Sequence, residues 1–344
     1  MSMEKLQDIK AKVEKELEKY FDEKIEEAED DVSKEALRFL KNYTLRGGKR
    51  IRVGFLVYGY GCFKEINGDI IRASMVMELM QSYLLIHDDI MDKDDIRRGE
   101  DSMHVMYEKK YNFRDMKHFG MSMAICVGDL AAALANEIIL DSDFKNKDEV
   151  VNVMNQILEK VCEGQMLDIV YGNKNVEEVT EDDVMRVNRM KTATYTVEGP
   201  LHLGALLAGI NDERLKPLLE YGVILGKAFQ VRNDINDVFL SDKIGKDGGS
   251  DLKEGKRTLL IIKTLESCDS KEKKFVLDKL GMDMSENDLK KLSDIIKKNA
   301  LEYCEDYCKK AAEKAKSLIK NLKLRNEGKE FLLNITNFVA TKAY

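Results

Sequence analysis

Residues 75–92 read MVMELMQSYLLIHDDIMD. The run has no Pro or Gly and is too long for one strand, so it reads as the end of an apolar-rich helix spanning Ile70–Met91. It closes on Asp88, Asp89 and Asp92. Residues four apart share a helix face, about 6 Å apart along the axis, so Asp88 and Asp92 point the same way. Two carboxylates that close repel unless a cation lies between them. Mg²⁺ suits the pair, because it takes one or two carboxylates and completes its shell with water and substrate phosphate. The plain alternative is a solvated acidic helix end. The apolar residues before Asp88 weigh against it, because they make the helix core and set its carboxylates at the mouth of a cavity.

A second cluster repeats the spacing. Asn233, Asp234 and Asp237 stand in NDIND, preceded by GKAFQ at 226–230. Two helices presenting such faces can share metal ions. Cationic groups lie near both clusters: Arg97 and Arg98 after the first, Lys246, Lys256 and Arg257 after the second, Lys191 in RMKT, and Lys49 and Arg52 in GGKRIR. The last motif opens a helix, where backbone N–H groups favour anions. Each basic pair alone would be surface charge; together they describe a site for a polyphosphate bridged by Mg²⁺, with a second phosphate pocket beside it.

The rest of the chain is helix after helix. Apolar positions recur at spacings of three and four over Leu6–Leu40, and further helical patterns occupy 51–63, 101–110, 116–140, 148–172, 181–209, 212–240, 255–268, 270–280, 286–319 and 325–342. Two-residue alternation is nearly absent. The expected fold is an all-α single domain over residues 1–344, with no linker polar or long enough to divide it. Composition agrees: of 344 residues only 2 are Pro, 44% are apolar and 35% are charged, against about 25% charged in an average domain. The net charge of −7 argues against a generic nucleic-acid binder.

The 6 Cys form no CxxC pair, so reduced thiols in a cytoplasmic protein are expected. Cys304 and Cys308, one turn apart, read as packed helix thiols. The longest apolar stretch, Met121–Leu140, is interrupted by Asp129, Asn136 and Glu137. It reads as a buried helix at a subunit contact, and no transmembrane segment or secretory leader is expected.

In this order these motifs resemble the trans-isoprenyl diphosphate synthases over nearly the whole chain. The matching residues are Gly47–Arg52, Glu78 to Gln81, Asp88–Asp92 with Arg97-Arg98-Gly99, Gly128-Asp129, Gly164 to Asp168, Lys191-Thr192, Phe229-Gln230, 233–237, and Gly249-Ser250-Asp251 with Lys256. The resemblance implies a helical bundle around a central cavity (the isoprenoid synthase type I fold), usually a homodimer. It implies head-to-tail condensation of isopentenyl diphosphate with an allylic diphosphate, by Mg²⁺-assisted ionisation, condensation and elimination. Asp88, Asp92, Asn233 and Asp237 would hold Mg²⁺, with Asp89 and Asp234 behind them. Arg97, Lys191, Lys246 and Lys256 would bind the allylic diphosphate. Lys49, Arg52, Gln81 and Arg98 would bind isopentenyl diphosphate, and Thr192 and Gln230 would lie beside the allylic cation.

The chain departs from the family at Asn233, where Asp is usual; an amide oxygen still ligates Mg²⁺ but brings no charge. Related class I terpene cyclases also begin their second metal motif with Asn, but this chain does not complete their pattern. A non-catalytic partner subunit is the other alternative. The resemblance also implies a floor to the product pocket at Tyr83 and Leu84, with Met80 one turn deeper. A geranylgeranyl product, with farnesyl diphosphate beside it, is the expectation.

Overall fold

A computed structural model of the protein describes residues 2–239 and 249–341. In chain order the helices are α1 (Ser2–Glu27), α2 (Asp31–Leu45), α3 (Ile51–Gly61), α4 (Gly68–Ala73), α5 (Val76–Asp92), α6 (Met103–Lys110), α7 (Met116–Leu140) and α8 (Lys147–Asn173). They continue with α9 (Glu181–Val187), α10 (Gly199–Leu207), α11 (Leu215–Phe239), α12 (Ser250–Lys253), α13 (Leu259–Ser267), α14 (Ser270–Lys279), α15 (Glu286–Asn299), α16 (Leu301–Lys320) and α17 (Asn326–Thr341). Residues Asn188–Glu198 form a π-helical stretch joining α9 to α10. The fold is all-α, with one small exception. β1 (Ile96–Arg97) and β2 (Glu100–Asp101) pair antiparallel around a loop of Arg98 (φ 57°) and Gly99 (φ 80°). Two consecutive left-handed residues suit a tight hairpin turn. A hairpin this short leaves no alternation to read in the sequence.

The chain divides into two compact units, Met1–Asn152 with Leu203–Ile210, and Val153–His202 with Asn211–Tyr344. In the first, α5 packs against α2, α3, α6 and α7. Its Met77, Leu79 and Ile86 are fully buried, each contributing about 1.5–3 kcal/mol of hydrophobic stabilisation. Lys93, in the left-handed conformation at φ 60°, stops the helix just after Asp92. In the second unit α11 packs against the π-helical stretch and α16. The Tyr221 hydroxyl bonds to Leu332 O and Thr336 Oγ1, both at 2.9 Å, which ties α11 to α17.

Three expected helices are each two. The pattern over Leu6–Leu40 breaks because the Asp30 side chain accepts the N–H groups of Val32 and Ser33, both at 2.9 Å, and so starts α2 afresh. The segment 70–91 is α4 and α5, parted at Ser74, whose hydroxyl turns back to Ile71 O at 2.7 Å. The segment 286–319 is α15 and α16, parted at Ala300. The apolar stripe runs on across Ala300, so periodicity alone does not mark that break. The expected helices at 212–240 and 325–342 run past the described residues at 240 and 342.

Candidate active site

The three carboxylates at the end of α5 separate by environment. Asp88 and Asp92 are half-buried, whereas Asp89 is fully buried. Asp89 takes a 2.7 Å hydrogen bond from the Tyr43 hydroxyl on α2 and a 2.6 Å bond from Nε of Arg97. Burial nevertheless pushes its carboxyl above the usual range, with Arg97 and Tyr43 pulling the other way. Arg97 also reaches Asp94 Oδ2 at 2.7 Å. The hairpin turn is therefore fastened under the acidic helix end by one guanidinium.

The first residue of that turn faces the basic loop. Arg98 Nη1 donates to Gly47 O at 2.8 Å. Gly47 and Gly48 adopt φ 85° and 106°, a conformation that side chains rarely take, and the Arg98 guanidinium lies in van der Waals contact with the Cβ position of Gly48, at 3.4 Å. Arg50 holds the loop from inside. It is itself left-handed (φ 51°) and only 3% exposed. Its guanidinium bonds Thr44 O at 3.0 Å, Glu14 of α1 at 2.9 Å, and Glu78 of α5. Lys49 is thereby left exposed, and Arg52 and Gln81 half-buried, with Arg98 within electrostatic reach of Arg52. Met80 is buried deeper on α5; Tyr83 and Leu84 are half-buried.

In the second unit the end of α11 repeats the pattern of α5. Asn233 and Asp237 are half-buried, and Asp234 is 3% exposed. Thr192 Oγ1 donates to Gln230 Oε1 at 3.0 Å, and Gln230 Nε2 donates to Asp234 Oδ1 at 2.7 Å. Burial, reinforced by Asp251, holds the Asp234 carboxyl well above its ordinary pKa. Asp237 accepts from Ser250 Oγ at 2.8 Å and Asp251 N at 3.1 Å, while Lys256 pairs with Asp251 at 3.2 Å. Lys191 pairs with Asp168 of α8 at 2.8 Å. Lys246 lies outside the described residues.

Lys191 and Thr192 sit in the π-helical stretch, which widens the backbone and rotates side chains out of α-helical register. Such insertions concentrate at functional sites. Glycines admit it. A Cβ at Gly164 would meet Lys191 N at 2.6 Å, and one at Gly226 would meet Ala193 Cα at 2.6 Å.

Among the described residues, no three His, Cys, Asp or Glu groups converge into a metal site by themselves. The donor chemistry still fits Mg²⁺, since half-buried oxygen donors in pairs leave room for water and phosphate in the shell.

The family model for polyprenyl synthetases matches residues 34–297, across both acidic helix ends. The chain belongs to the polyprenyl synthetase family. It is 35% identical over 260 residues to the short chain isoprenyl diphosphate synthase of Methanocaldococcus jannaschii, covering 75% of each chain. It is 31% identical over 326 residues to the geranylgeranyl pyrophosphate synthase of Geoglobus acetivorans, covering 93% of this chain and 95% of that one. Its structure is similar to that of the geranylgeranyl pyrophosphate synthase of Corynebacterium glutamicum complexed with isoprenyl diphosphate and magnesium. The TM-score is 0.86 at 29% identity, covering 95% of this chain and 97% of that one. This polyprenyl synthetase is a short-chain prenyltransferase.

Several supporting residues of this polyprenyl synthetase are invisible to motif reading. Tyr43 and Glu14 lie in ordinary amphipathic helices. Arg50 sits inside a recognised motif, but nothing in the string distinguishes its inward guanidinium from the outward Lys49. Cys304 and Cys308 are both fully buried on α16, and burial raises the Cys308 thiol to about 11.

Proposed function

We propose that this polyprenyl synthetase condenses isopentenyl diphosphate head-to-tail with C5 to C15 allylic diphosphates and releases geranylgeranyl diphosphate, with farnesyl diphosphate beside it. The observation that carries the reading is the repeated helix end. In both clusters the first and fifth side chains are half-buried, and the second is buried and hydrogen-bonded. Asp88, Asp92, Asn233 and Asp237 are the side chains assigned to Mg²⁺. When bound, the metal neutralises the diphosphate and makes it a leaving group.

The chain's own residues do the remaining work. Arg97, Lys191, Lys246 and Lys256 bind the allylic diphosphate; Arg97 and Lys191 are kept in place meanwhile by Asp89 and Asp168. Lys49, Arg52, Gln81 and Arg98 bind isopentenyl diphosphate, on a loop that Arg50 braces. Ionisation breaks the allylic C–O bond, and the electron pair leaves with diphosphate. The double bond of isopentenyl diphosphate then supplies the pair for the new C–C bond, and the departing diphosphate accepts the proton lost. Thr192 fixes the Gln230 amide, so that its dipole stays oriented beside the cation. Apolar walls exclude water, which would otherwise quench the cation. Tyr83, Leu84 and Met80 form the floor of the product pocket.

We assign the chain as one synthase domain and as a homodimer in a reducing, cytoplasmic setting. In support, α7 is long and apolar enough to cross a membrane by composition, yet it packs on α5 and α6 and leaves Ile125 and Leu140 exposed. A second copy covers that face more economically than water does. All six cysteines are unpaired.

The test is turnover with Mg²⁺, isopentenyl diphosphate and each of the C5, C10 and C15 starters, with products weighed. C20 and C15 diphosphates are expected. Diphosphate release from the allylic substrate alone would favour a cyclase instead.

A further inference from the structure

We propose that the imidazole of His87, seated on the bare backbone of α7 at Gly128, positions the Tyr83 ring and thereby sets product length. The proposal rests on the reading that Tyr83 floors the product pocket; the device that fixes that floor is what is new.

Tyr83 and His87 lie one turn apart on α5, on the flank that meets α7. Their rings meet edge to face, with centroids 4.8 Å apart and planes at 81°. This is a favoured aromatic geometry. The imidazole also rests on Gly128. A Cβ there would lie 2.7 Å from Cε1, 3.0 Å from Nε2 and 3.1 Å from Nδ1 of His87. Three ring atoms at nearly equal distances mean that the imidazole lies flat against the glycine. Asp129, next along α7, places Oδ1 3.7 Å from Nε2.

The imidazole therefore has no room to retreat towards α7, because backbone is already there. It occupies the space into which the Tyr83 ring would otherwise swing. The position of the Tyr83 ring in the floor is then set by Tyr83, His87 and Gly128 together, and of these three only Tyr83 need touch the growing chain. His87 is a positioning residue and carries no catalytic role here.

The geometry gives two changes of opposite sign. A methyl at position 128 pushes the imidazole towards Tyr83 and the ring into the pocket, so products shorten. Removing the imidazole lets the ring fall back towards α7, so products lengthen.

The experiment measures the distribution of product lengths, by mass spectrometry, for the full chain and for Gly128→Ala, His87→Ala, Tyr83→Ala and the Tyr83→Ala/Gly128→Ala pair. The fraction of each length does not depend on how much enzyme survives purification, so a loss of fold alone does not move it. His87→Ala is expected to shift the main product up by one five-carbon unit, and Gly128→Ala to shift it down by one. The double variant is expected to give the Tyr83→Ala distribution, since the methyl then has no ring to push. If Tyr83→Ala lengthens products while both His87→Ala and Gly128→Ala keep the parent distribution, the clamp is wrong and the floor stands. If Tyr83→Ala itself changes nothing, the floor is wrong and the clamp falls with it. Should Gly128→Ala fail to fold by circular dichroism, His87→Ala decides alone.

Discussion

The Tyr43 hydroxyl on α2 donates a 2.7 Å hydrogen bond to Oδ2 of Asp89, a carboxylate with no exposed surface. Arg97 holds the other oxygen. Tyr43→Phe leaves a buried charged oxygen with one donor fewer, which costs about 1–3 kcal/mol. Urea unfolding should show a lower midpoint at unchanged slope, with product lengths unaltered. An unmoved midpoint would mean that Arg97 satisfies Asp89 unaided.

Thr192, Gln230 and Asp234 form a hydrogen-bonded relay at 3.0 and 2.7 Å. Thr192→Val removes the donor that fixes the Gln230 amide. Losing one hydrogen bond that acts beside the developing cation is expected to lower kcat about tenfold, with KM for both diphosphates nearly unchanged. A change confined to KM would place Thr192 in substrate binding instead.

The helical fold and both acidic ends are legible in the string because they rest on short-range rules. Periodicity reports the helices, and the Asp88/Asp92 spacing reports a shared face. The π-helical stretch is not legible. Its cause is tertiary: Gly164 and Gly226 let neighbouring helices press on Lys191 and Ala193, and no local pattern in NRMKTATYTVE announces it. Tyr43 and Glu14 stayed hidden for the same reason, since their partners Asp89 and Arg50 lie far along the chain.

Glu198 closes the π-helical stretch and pairs with Arg189 at 2.7 Å. Burial raises its pKa, and Arg189 offsets this only in part. The folded state therefore favours the protonated acid. Its contribution to stability is greatest below the ordinary glutamate pKa of 4.5 and is lost as pH rises through the higher folded value. Glu198→Gln keeps an acceptor for Arg189 and has no proton to lose. Tm measured from about pH 4 to pH 7 should thus decline less with pH in the variant; parallel curves would refute this.

Asn233→Asp restores a charge at the first position of the second cluster. At about 4 Å in water-like surroundings one added charge facing a divalent ion is worth about 2 kcal/mol, or roughly thirtyfold in metal affinity. Activity should rise at limiting Mg²⁺ and converge with the parent at saturation. Equal activity at every Mg²⁺ concentration would mean that Asn233 is no ligand.

The central claim is that Mg²⁺-dependent binding of the allylic diphosphate needs the acidic end of α5 and the acidic end of α11. The most direct measurement is a double-mutant cycle with Asp92→Asn and Asp237→Asn. It is read as Mg²⁺-dependent binding of an unreactive allylic thiolodiphosphate by calorimetry. Groups sharing one ligand couple, so the double variant should lose less than the sum of the two single losses, by about 0.5–3 kcal/mol. Strict additivity, or binding that ignores either substitution, would contradict the account.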